Sequence, residues 1–306
     1  MKRILVAGVG GIGGVVAARL AGQAQVVGLD SHEAHARSIS EYGLAIEGAS
    51  CLRAQFPCLS HAADLLQAPF DAIVFLVKSG ATAAVLHDLR PHLASRPLLV
   101  TLQNGMGNAE LLAATGAPVA RGATMSAGRL VAPGQVEHLV RGTTWIGPWQ
   151  GGIEDVRWFG ELLRASGLPC EVIDDPMDAI WSKFVFNCVM DPVGALLAGH
   201  DAARHEVPEV CELLDTLADE CGQVVRALGG SFAFEPMALV HKVRSGAVPL
   251  PRHAGSMALD IARGTPTEID ALTGWVVAQA ARLGIPVPAC RTVTALVRGL
   301  EFAARA

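Results

Sequence analysis

The first 22 residues constrain the fold more than any other part of this 306-residue chain. Residues 3–7, Arg-Ile-Leu-Val-Ala, are apolar after the first position and predict a short buried strand. A Gly8-x-Gly10-x-x-Gly13 loop follows directly, and residues 15–22 predict a helix that ends at a glycine. A strand, a glycine loop and a helix in this order predict a dinucleotide-binding fold, with phosphate at the helix N-terminus.

Each glycine of the loop has a physical reason in such a fold. Gly8 permits the tight turn, Gly10 lets a pyrophosphate approach the backbone, and Gly13 lets the helix pack close to the strand. Gly11 and Ile12 complete the loop. We therefore predict that residues 8 and 10–13 bind the cofactor.

Asp30 ends the next predicted strand, residues 25–29, and lies twenty residues beyond Gly10. A carboxylate there can accept hydrogen bonds from ribose hydroxyls and would repel a 2′-phosphate. Because no arginine follows immediately, we predict NAD as the preferred cofactor, with NADP as the alternative. A second interpretation is that Asp30 caps a helix that begins near His32.

The alternation of strands and helices continues. Residues 70–78 and 98–102 predict strands and residues 81–90 a helix, which together imply a parallel, doubly wound sheet. Lys78 and Asn104 fall at or just beyond the carboxyl ends of these strands, where such sheets bind ligands. Lys78 can meet cofactor phosphate or ribose, or can be a solvated lysine. Asn104 can contact a ligand or serve as a turn residue before Gly105.

The remaining pattern sets the domain organisation. Residues 122–147 predict antiparallel strands at a sheet edge, whereas residues 43–60 allow no firm assignment. The sequence Asp174-Asp175-Pro176 is a natural boundary, and helical patterns dominate beyond it. We therefore predict an α/β protein with an N-terminal Rossmann-type doubly wound sheet in residues 1–174. A C-terminal all-helical domain is predicted for residues 175–306.

Lys183, Asn187 and Asp191 follow one another at intervals of four residues within an apolar stretch. In a helix this spacing places all three side chains on one face. Desolvation disfavours the charge of a lysine among Trp, Phe and Val, so Lys183 either snorkels to solvent or has a partner or a function. Asp191-Pro192 also fits a second interpretation, in which an N-cap and a first-position proline begin a new helix.

Composition excludes several classes of function. A net charge of −5 provides no basic field for nucleic acid, and no apolar run approaches the roughly 18 residues of a membrane span. The seven cysteines contain no Cys-x-x-Cys pair, which suits reduced thiols in the cytoplasm better than disulfides or zinc. The ten histidines form no ligand cluster, so we predict no metal site and interpret them, including His32 and His35, as surface or cap residues.

With these features, the chain resembles the 2-dehydropantoate 2-reductases, also called ketopantoate reductases. Beyond the glycine loop, the resemblance rests on motifs that run in family order over nearly the whole chain: Val77-Lys78, Gln103-Asn104-Gly105-Met106-Gly107, residues 181–192 (Trp-Ser-Lys-Phe-Val-Phe-Asn-Cys-Val-Met-Asp-Pro), Ser256-Met257 and Thr267-Glu268-Ile269-Asp270. It implies NAD(P)H-dependent reduction of a small-molecule 2-oxo acid, most simply 2-dehydropantoate to pantoate, in a cleft between the two domains. Family members are often dimeric, which makes a homodimer a candidate assembly.

The resemblance also implies roles for individual residues. Lys183 is the expected catalytic acid, and Glu268 lies beside substrate and cofactor. Asn187 and Ser256 are expected to contact substrate, and Asn104 and Lys78 to line the cleft. The chemistry agrees, because hydride transfer to a carbonyl carbon leaves negative charge on oxygen that a nearby ammonium can stabilise and protonate.

The chain departs from the family at two positions. Asp191 stands where the family usually has a substrate-side asparagine, so the resemblance implies a substrate contact at this position. A carboxylate about 6 Å from a substrate carboxylate would cost roughly 3 kcal/mol at an effective dielectric near 20. Asp191 therefore points elsewhere, or the substrate differs. Asp30 is the second departure, because many members prefer NADP. Some relatives are NAD-linked D-2-hydroxyacid dehydrogenases similar to D-mandelate dehydrogenase, which is the alternative enzyme.

The sequence also allows a different class of protein, a dinucleotide-binding regulator without catalytic activity. The retained Lys183, Asn187 and Glu268 argue against it, since sensing a cofactor requires no buried acid.

Overall fold

The computed structural model describes residues 1–66, 68–249 and 255–305. The chain divides into two compact units, which we name the sheet unit and the helical unit. The sheet unit comprises residues 1–103 and 107–176, and the helical unit comprises residues 104–106 together with the chain from residue 177 onward. No sequence pattern indicates that residues 104–106 group with the helices. The domain limits 1–174 and 175–306 stay a prediction.

The sheet unit contains the strands of the structure. They are β1 (Arg3–Ala7), β2 (Gln25–Leu29), β3 (Leu44–Gly48), β4 (Leu52–Ala54), β5 (Cys58–Leu59), β6 (Ala72–Phe75), β7 (Leu98–Thr101), β8 (Val119–Thr124), β9 (Ala127–Ala132), β10 (Gln135–Val140), β11 (Thr144–Gln150) and β12 (Cys170–Val172). Its helices are α1 (Gly11–Leu20), α2 (Glu33–Tyr42), α3 (Thr82–Asp88), α4 (Asn108–Ala113) and α5 (Ile153–Ala165).

Eight strands form the main sheet in the order β12-β11-β8-β7-β6-β1-β2-β5. Strands β8, β7, β6, β1, β2 and β5 are parallel, and β11 pairs antiparallel with β8. The central strands β1 and β6 are buried on both faces, which explains why their sequences are apolar without alternation. The predicted doubly wound sheet is confirmed.

A second, four-stranded sheet has the order β4-β3-β10-β9. The antiparallel strands predicted for residues 122–147 are present, as β9 with β10 and as β11 with β8, but β9 and β10 lie in this second sheet and not at the edge of the main one. Strand β10 instead pairs in parallel with β3, which belongs to the unassigned stretch 43–60. Pairing between segments about ninety residues apart leaves no local sequence pattern.

The helical unit contains seven α-helices in the part of it that the structure describes. They are α6 (Met177–Leu196), α7 (Ala203–Glu206), α8 (Pro208–Ala227), α9 (Ala238–Arg244), α10 (Ser256–Ala262), α11 (Thr273–Leu283) and α12 (Pro288–Arg305). The predicted fold class, a Rossmann-type sheet followed by helices, is confirmed. Among all described residues, no helix is both long enough and apolar enough to cross a membrane.

Helix α6 continues through Pro192, so the prediction of a helix start at Asp191-Pro192 is wrong. The proline ring removes the hydrogen bond to the carbonyl of residue 188. Buried side chains on both sides, Val189 and Val193 among them, keep the segment helical despite that loss. Lys183, Asn187 and Asp191 therefore do lie along one continuous helix.

Aromatic packing fixes the first half of α6. The ring of Trp275 on α11 lies 5.8 Å from Trp181 and 5.4 Å from Phe184, measured between ring centroids. Both α6 side chains are almost fully buried. Because aromatic pairs of this kind add to the stability gained from burial, the backbone of Lys183 is held rigidly between them.

Candidate active site

The glycine loop brings backbone segments closer together than any side chain would permit. Gly8 has a φ of +89°, and a Cβ atom there would lie 2.5 Å from the backbone nitrogen of Val77. A Cβ atom at Gly13 would lie 1.7 Å from the carbonyl oxygen of Gly8. These contacts agree with the predicted roles of Gly8 in the turn and of Gly13 in helix–strand packing.

Gly10 and Gly11 differ in their surroundings. A Cβ atom on Gly10 would meet nothing within 4 Å, whereas one on Gly11 would lie 2.2 Å from the carbonyl oxygen of Gly128 on β9. Gly10 is the N-cap of α1, and no side chain caps this helix end. Open space in front of an uncapped helix N-terminus fits the pyrophosphate of a dinucleotide. Gly11 serves the packing of β9, and Ile12 packs against the core.

The carboxylate of Asp30 bonds to two backbone groups. Its Oδ2 accepts from the N–H of Val9 at 2.8 Å, and its Oδ1 accepts from the N–H of His32 at 3.0 Å. The N-cap of α2 is His32, whose side chain accepts from the N–H of His35, so Asp30 is not that N-cap. Each carboxylate oxygen has a second lone pair, which leaves Asp30 able to accept a ribose hydroxyl.

Lys78 is exposed just after β6, at the start of a short 3₁₀ turn, Ser79–Ala81. The peptide before it is held by Gln103, whose side-chain amide donates to the carbonyl of Val77 and to the hydroxyl of Thr82, both at 2.8 Å. Gln103 therefore fixes the backbone that carries Lys78. In the sequence, the one indication that Gln103 matters was its position directly before Asn104 in the family motif.

In the helical unit, Lys183 donates from Nζ to the side-chain oxygen of Asn104 at 2.8 Å. Asn104 is held in place by the two residues that follow it. The N–H of Met106 donates to the carbonyl of Ala271 at 3.0 Å, and Gly105 has a φ of +81°. A Cβ atom at Gly105 would lie 2.6 Å from that of Ala271, so only glycine allows this approach.

The other predicted residues of this unit lie on α6, on α10 and directly before the turn that Met106 contacts. Glu268 is buried and directly precedes the 3₁₀ turn Ile269–Ala271, to which Met106 is bonded. Asn187 is buried one turn after Lys183 on α6, and Ser256 is the partly buried first residue of α10. The structure thus brings Lys183 and Asn104 into direct contact, with Glu268 acting on Lys183 through its charge.

Burial lowers the pKa of Lys183 from its ordinary value to about 8, against the charges of Asp191 and Glu268, which favour the ammonium. A lysine of pKa near 8 is largely protonated at neutral pH and gives up its proton far more readily than a solvated lysine. Lys183 can therefore act as a general acid near pH 7.

Asp191 also acts on a second cation, Arg204. Burial lowers the pKa of Arg204, and the charge of Asp191 opposes this shift. Arg204 is 5% exposed, donates to the carbonyl of Met190 at 3.2 Å and pairs with Asp201. Asp191 thus interacts with two cations, Lys183 and Arg204, and is not an isolated carboxylate. No sequence motif pointed to Arg204.

The described residues contain no group of three or more His, Cys, Asp or Glu side chains placed to hold a metal ion.

Three histidines contradict the prediction that this residue type lies at the surface or in caps. His35, His92 and His138 are buried, with at most 6% of each exposed. The partners of His35 are backbone groups, which no sequence motif can reveal.

Comparison with known proteins identifies the family. The family model "Ketopantoate reductase PanE/ApbA" matches residues 4–151, and its C-terminal counterpart matches residues 175–301. The chain belongs to the ketopantoate reductase family. This confirms the resemblance found in the sequence, and with it the prediction of a nicotinamide-dependent oxidoreductase.

Individual relatives agree with this assignment to the ketopantoate reductases. The 2-dehydropantoate 2-reductase of Halobacterium salinarum is 30% identical over 97% of this chain and 98% of its own. A PanE/ApbA family ketopantoate reductase from Ralstonia eutropha JMP134 has a solved structure with a TM-score of 0.87, 28% identity and full coverage of both chains. A ternary structure of D-mandelate dehydrogenase with NADH and anilino(oxo)acetate has a TM-score of 0.90 over both full chains. Its identity of 22% shows the common fold alone.

Proposed function

We propose that this member of the ketopantoate reductase family reduces 2-dehydropantoate to pantoate, with NADH preferred over NADPH and with Lys183 as the general acid. The observation that carries the proposal is the hydrogen bond from Lys183 to Asn104, made by a lysine whose pKa burial lowers to about 8. A positioned lysine whose pKa lies near neutrality has the two properties that a general acid needs.

In this mechanism the bound nicotinamide cofactor supplies the hydride to the carbonyl carbon of the 2-oxo acid. The electron pair of the C=O bond moves to oxygen, and Lys183 donates a proton to that oxygen, so that the product is a 2-hydroxy acid and the lysine becomes a neutral amine. Water then restores the ammonium. The interaction of Lys183 with the developing negative charge is strongest in the transition state and therefore accelerates the reaction itself.

The other residues bind and orient. Asn104 holds the Nζ atom of Lys183 through its side-chain oxygen, while its amide N–H groups can donate to the substrate. Asn187 and Ser256 are proposed substrate contacts, and Glu268 supports the ammonium or accepts a substrate hydroxyl.

In the sheet unit, the loop of residues 8–13 is proposed to receive the pyrophosphate. Asp30 is proposed to bind the adenosine ribose, and Lys78 a phosphate or ribose group.

An NAD-dependent D-2-hydroxyacid dehydrogenase, similar to D-mandelate dehydrogenase, is the second candidate. Asp30 favours it because a carboxylate at this position suits NADH, and Asp191 favours it because family members usually have asparagine there. A non-catalytic regulator has less support, since sensing a cofactor requires no lysine whose pKa is lowered towards neutrality. Homodimer formation remains a further proposal.

The substrate assignment is tested by initial rates on 2-dehydropantoate and on phenylglyoxylate, each with NADH and with NADPH. We expect the highest kcat/KM for 2-dehydropantoate with NADH. Repulsion between Asp30 and the 2′-phosphate should lower kcat/KM for NADPH by roughly 100-fold. Turnover of phenylglyoxylate but not of 2-dehydropantoate, with either cofactor, would replace the proposed function by the second candidate.

The pH dependence of kcat/KM tests the role of Lys183. A general acid must be protonated, so activity should fall as the pH rises through about 8, the pKa of Lys183. Asp191→Asn removes a charge that favours the ammonium, and the alkaline limb should therefore move to lower pH.

Asp178→Asn is the matched control for this experiment. Asp178 is exposed in the first turn of the same helix, and its replacement should leave the alkaline limb unchanged. An alkaline limb that stays in place in Asp191→Asn would contradict the electrostatic role of Asp191.

A further inference from the structure

The peptide groups of Val9 are held by side chains on both sides. Val9 lies between the first two glycines of the cofactor loop, and its N–H donates to Asp30 at 2.8 Å. Its carbonyl oxygen lies 3.0 Å from Nε2 of His35, on the neighbouring helix α2. Both hydrogen bonds attach the loop to residues that follow β2.

The second ring nitrogen of His35 defines the chemistry of this contact. Nδ1 lies 2.9 Å from the backbone N–H of Gly134, which can only donate, so Nδ1 must be the acceptor. The proton of the neutral ring is therefore on Nε2, which donates to the carbonyl of Val9. His35 has no exposed surface, so water cannot replace either partner.

The turn that supplies Gly134 is itself held firmly against α2. Gly134 has a φ of +74° and lies between β9 and β10 of the second sheet. Its carbonyl accepts from the N–H of Ala45 at 2.9 Å, and the hydroxyl of Ser38 donates to the carbonyl of Pro133 at 3.3 Å. His35 therefore connects a rigid turn of the second sheet to the glycine loop.

We propose that His35 is a positioning residue for the dinucleotide, which fixes the glycine loop through the carbonyl of Val9 in the conformation that receives the pyrophosphate. This proposal rests on the proposed function, in which the glycine loop binds the pyrophosphate of the cofactor. His35 touches neither substrate nor reacting atoms in this scheme. Its loss should therefore weaken cofactor binding and leave the chemical step unchanged.

The choice of replacement separates hydrogen bonding from packing. Glutamine presents an amide N–H donor and a carbonyl acceptor, and can replace both bonds of the imidazole. Leucine fills space but leaves the carbonyl of Val9 and the N–H of Gly134 without their buried partner. Asparagine keeps the polarity of glutamine, but its side chain is one methylene shorter, so its amide cannot reach both groups.

The experiment measures the Kd of NADH by fluorescence titration, and KM and kcat by steady-state kinetics, for His35→Leu, His35→Asn and His35→Gln. We expect the Kd and KM of NADH to rise about tenfold or more in the leucine and asparagine proteins, with kcat at saturating NADH unchanged. His35→Gln should remain within about threefold of wild type. His87→Asn, which replaces an exposed histidine on α3 of the same unit, is the control and should bind NADH normally.

Each outcome bears on the proposal. If His35→Leu does not fold, the comparison of the asparagine and glutamine proteins gives the same test. Binding of NADH within threefold of wild type by His35→Asn, or equally weak binding by the glutamine and leucine proteins, would overturn the positioning role. Because NADH is titrated in the absence of substrate, the result does not depend on which 2-oxo acid the enzyme reduces. A wild-type protein that binds neither NADH nor NADPH would overturn both proposals.

Discussion

Replacement of Lys183 by methionine should lower kcat for the 2-oxo acid by about a thousandfold, the loss typical of removing a positioned general acid. Methionine has a similar length and suits the buried surroundings, so the free energy of unfolding should change little. The missing ammonium would leave the alkoxide without a proton donor and without a compensating charge. Steady-state rates, together with single-turnover oxidation of bound NADH, measure the effect on chemistry directly.

Lys242→Met is the matched control, because Lys242 is an exposed lysine on α9 of the same unit. Its rates should equal those of wild type. A Lys183→Met protein that retains wild-type kcat would remove the acid role of Lys183 from the mechanism. The affinity for NADH, measured without substrate, should be similar in all three proteins, since Lys183 is not among the proposed cofactor contacts.

Gly10→Ala should raise the Kd of NADH about 100-fold. The added methyl group would meet no protein atom within 4 Å, but would occupy the space in front of the N-terminus of α1. The pyrophosphate needs that space to approach the backbone. Titration of NADH, with the melting temperature measured alongside, should show weak binding in a protein of normal stability.

Gly299→Ala provides the comparison for this experiment. Gly299 is exposed on α12, and a methyl group there also meets nothing within 4 Å. Helix propensity predicts a slight gain in stability and no change in NADH binding. Normal NADH affinity in the Gly10→Ala protein would mean that the phosphates do not approach this loop.

Local patterns predicted the parts of the fold in which neighbours in sequence are neighbours in space. The strand, glycine loop and helix of residues 3–20 were predictable because adjacent residues carry the whole signal. The second sheet was not, since its central pair joins β3 to β10, which lie about ninety residues apart in the sequence. Pro192 was misinterpreted for a related reason. An Asp-Pro pair has the same local signature at a helix start and within a helix, and only burial decides between them.

The candidate site was also predictable only where its residues are close in sequence. The i, i+4 spacing placed Lys183, Asn187 and Asp191 on one helix, but no spacing could pair Lys183 with Asn104, which precedes it by 79 residues. The family resemblance assigned both residues to one cleft, but the hydrogen bond between them was not predicted. His35 and Arg204 were missed because their functions depend on backbone carbonyls and on charges brought together by folding.

The short segment 104–106 has a consequence for any attempt to divide this protein. A fragment that began at residue 177 would include Lys183 but not the amide to which it donates. The turn at Ala271 would also lose the backbone partner that Met106 provides. Exchange of helical units between related enzymes therefore requires three grafted residues from the other half of the gene. Chimaeras joined only at residue 176 would combine a lysine from one parent with an asparagine loop from the other.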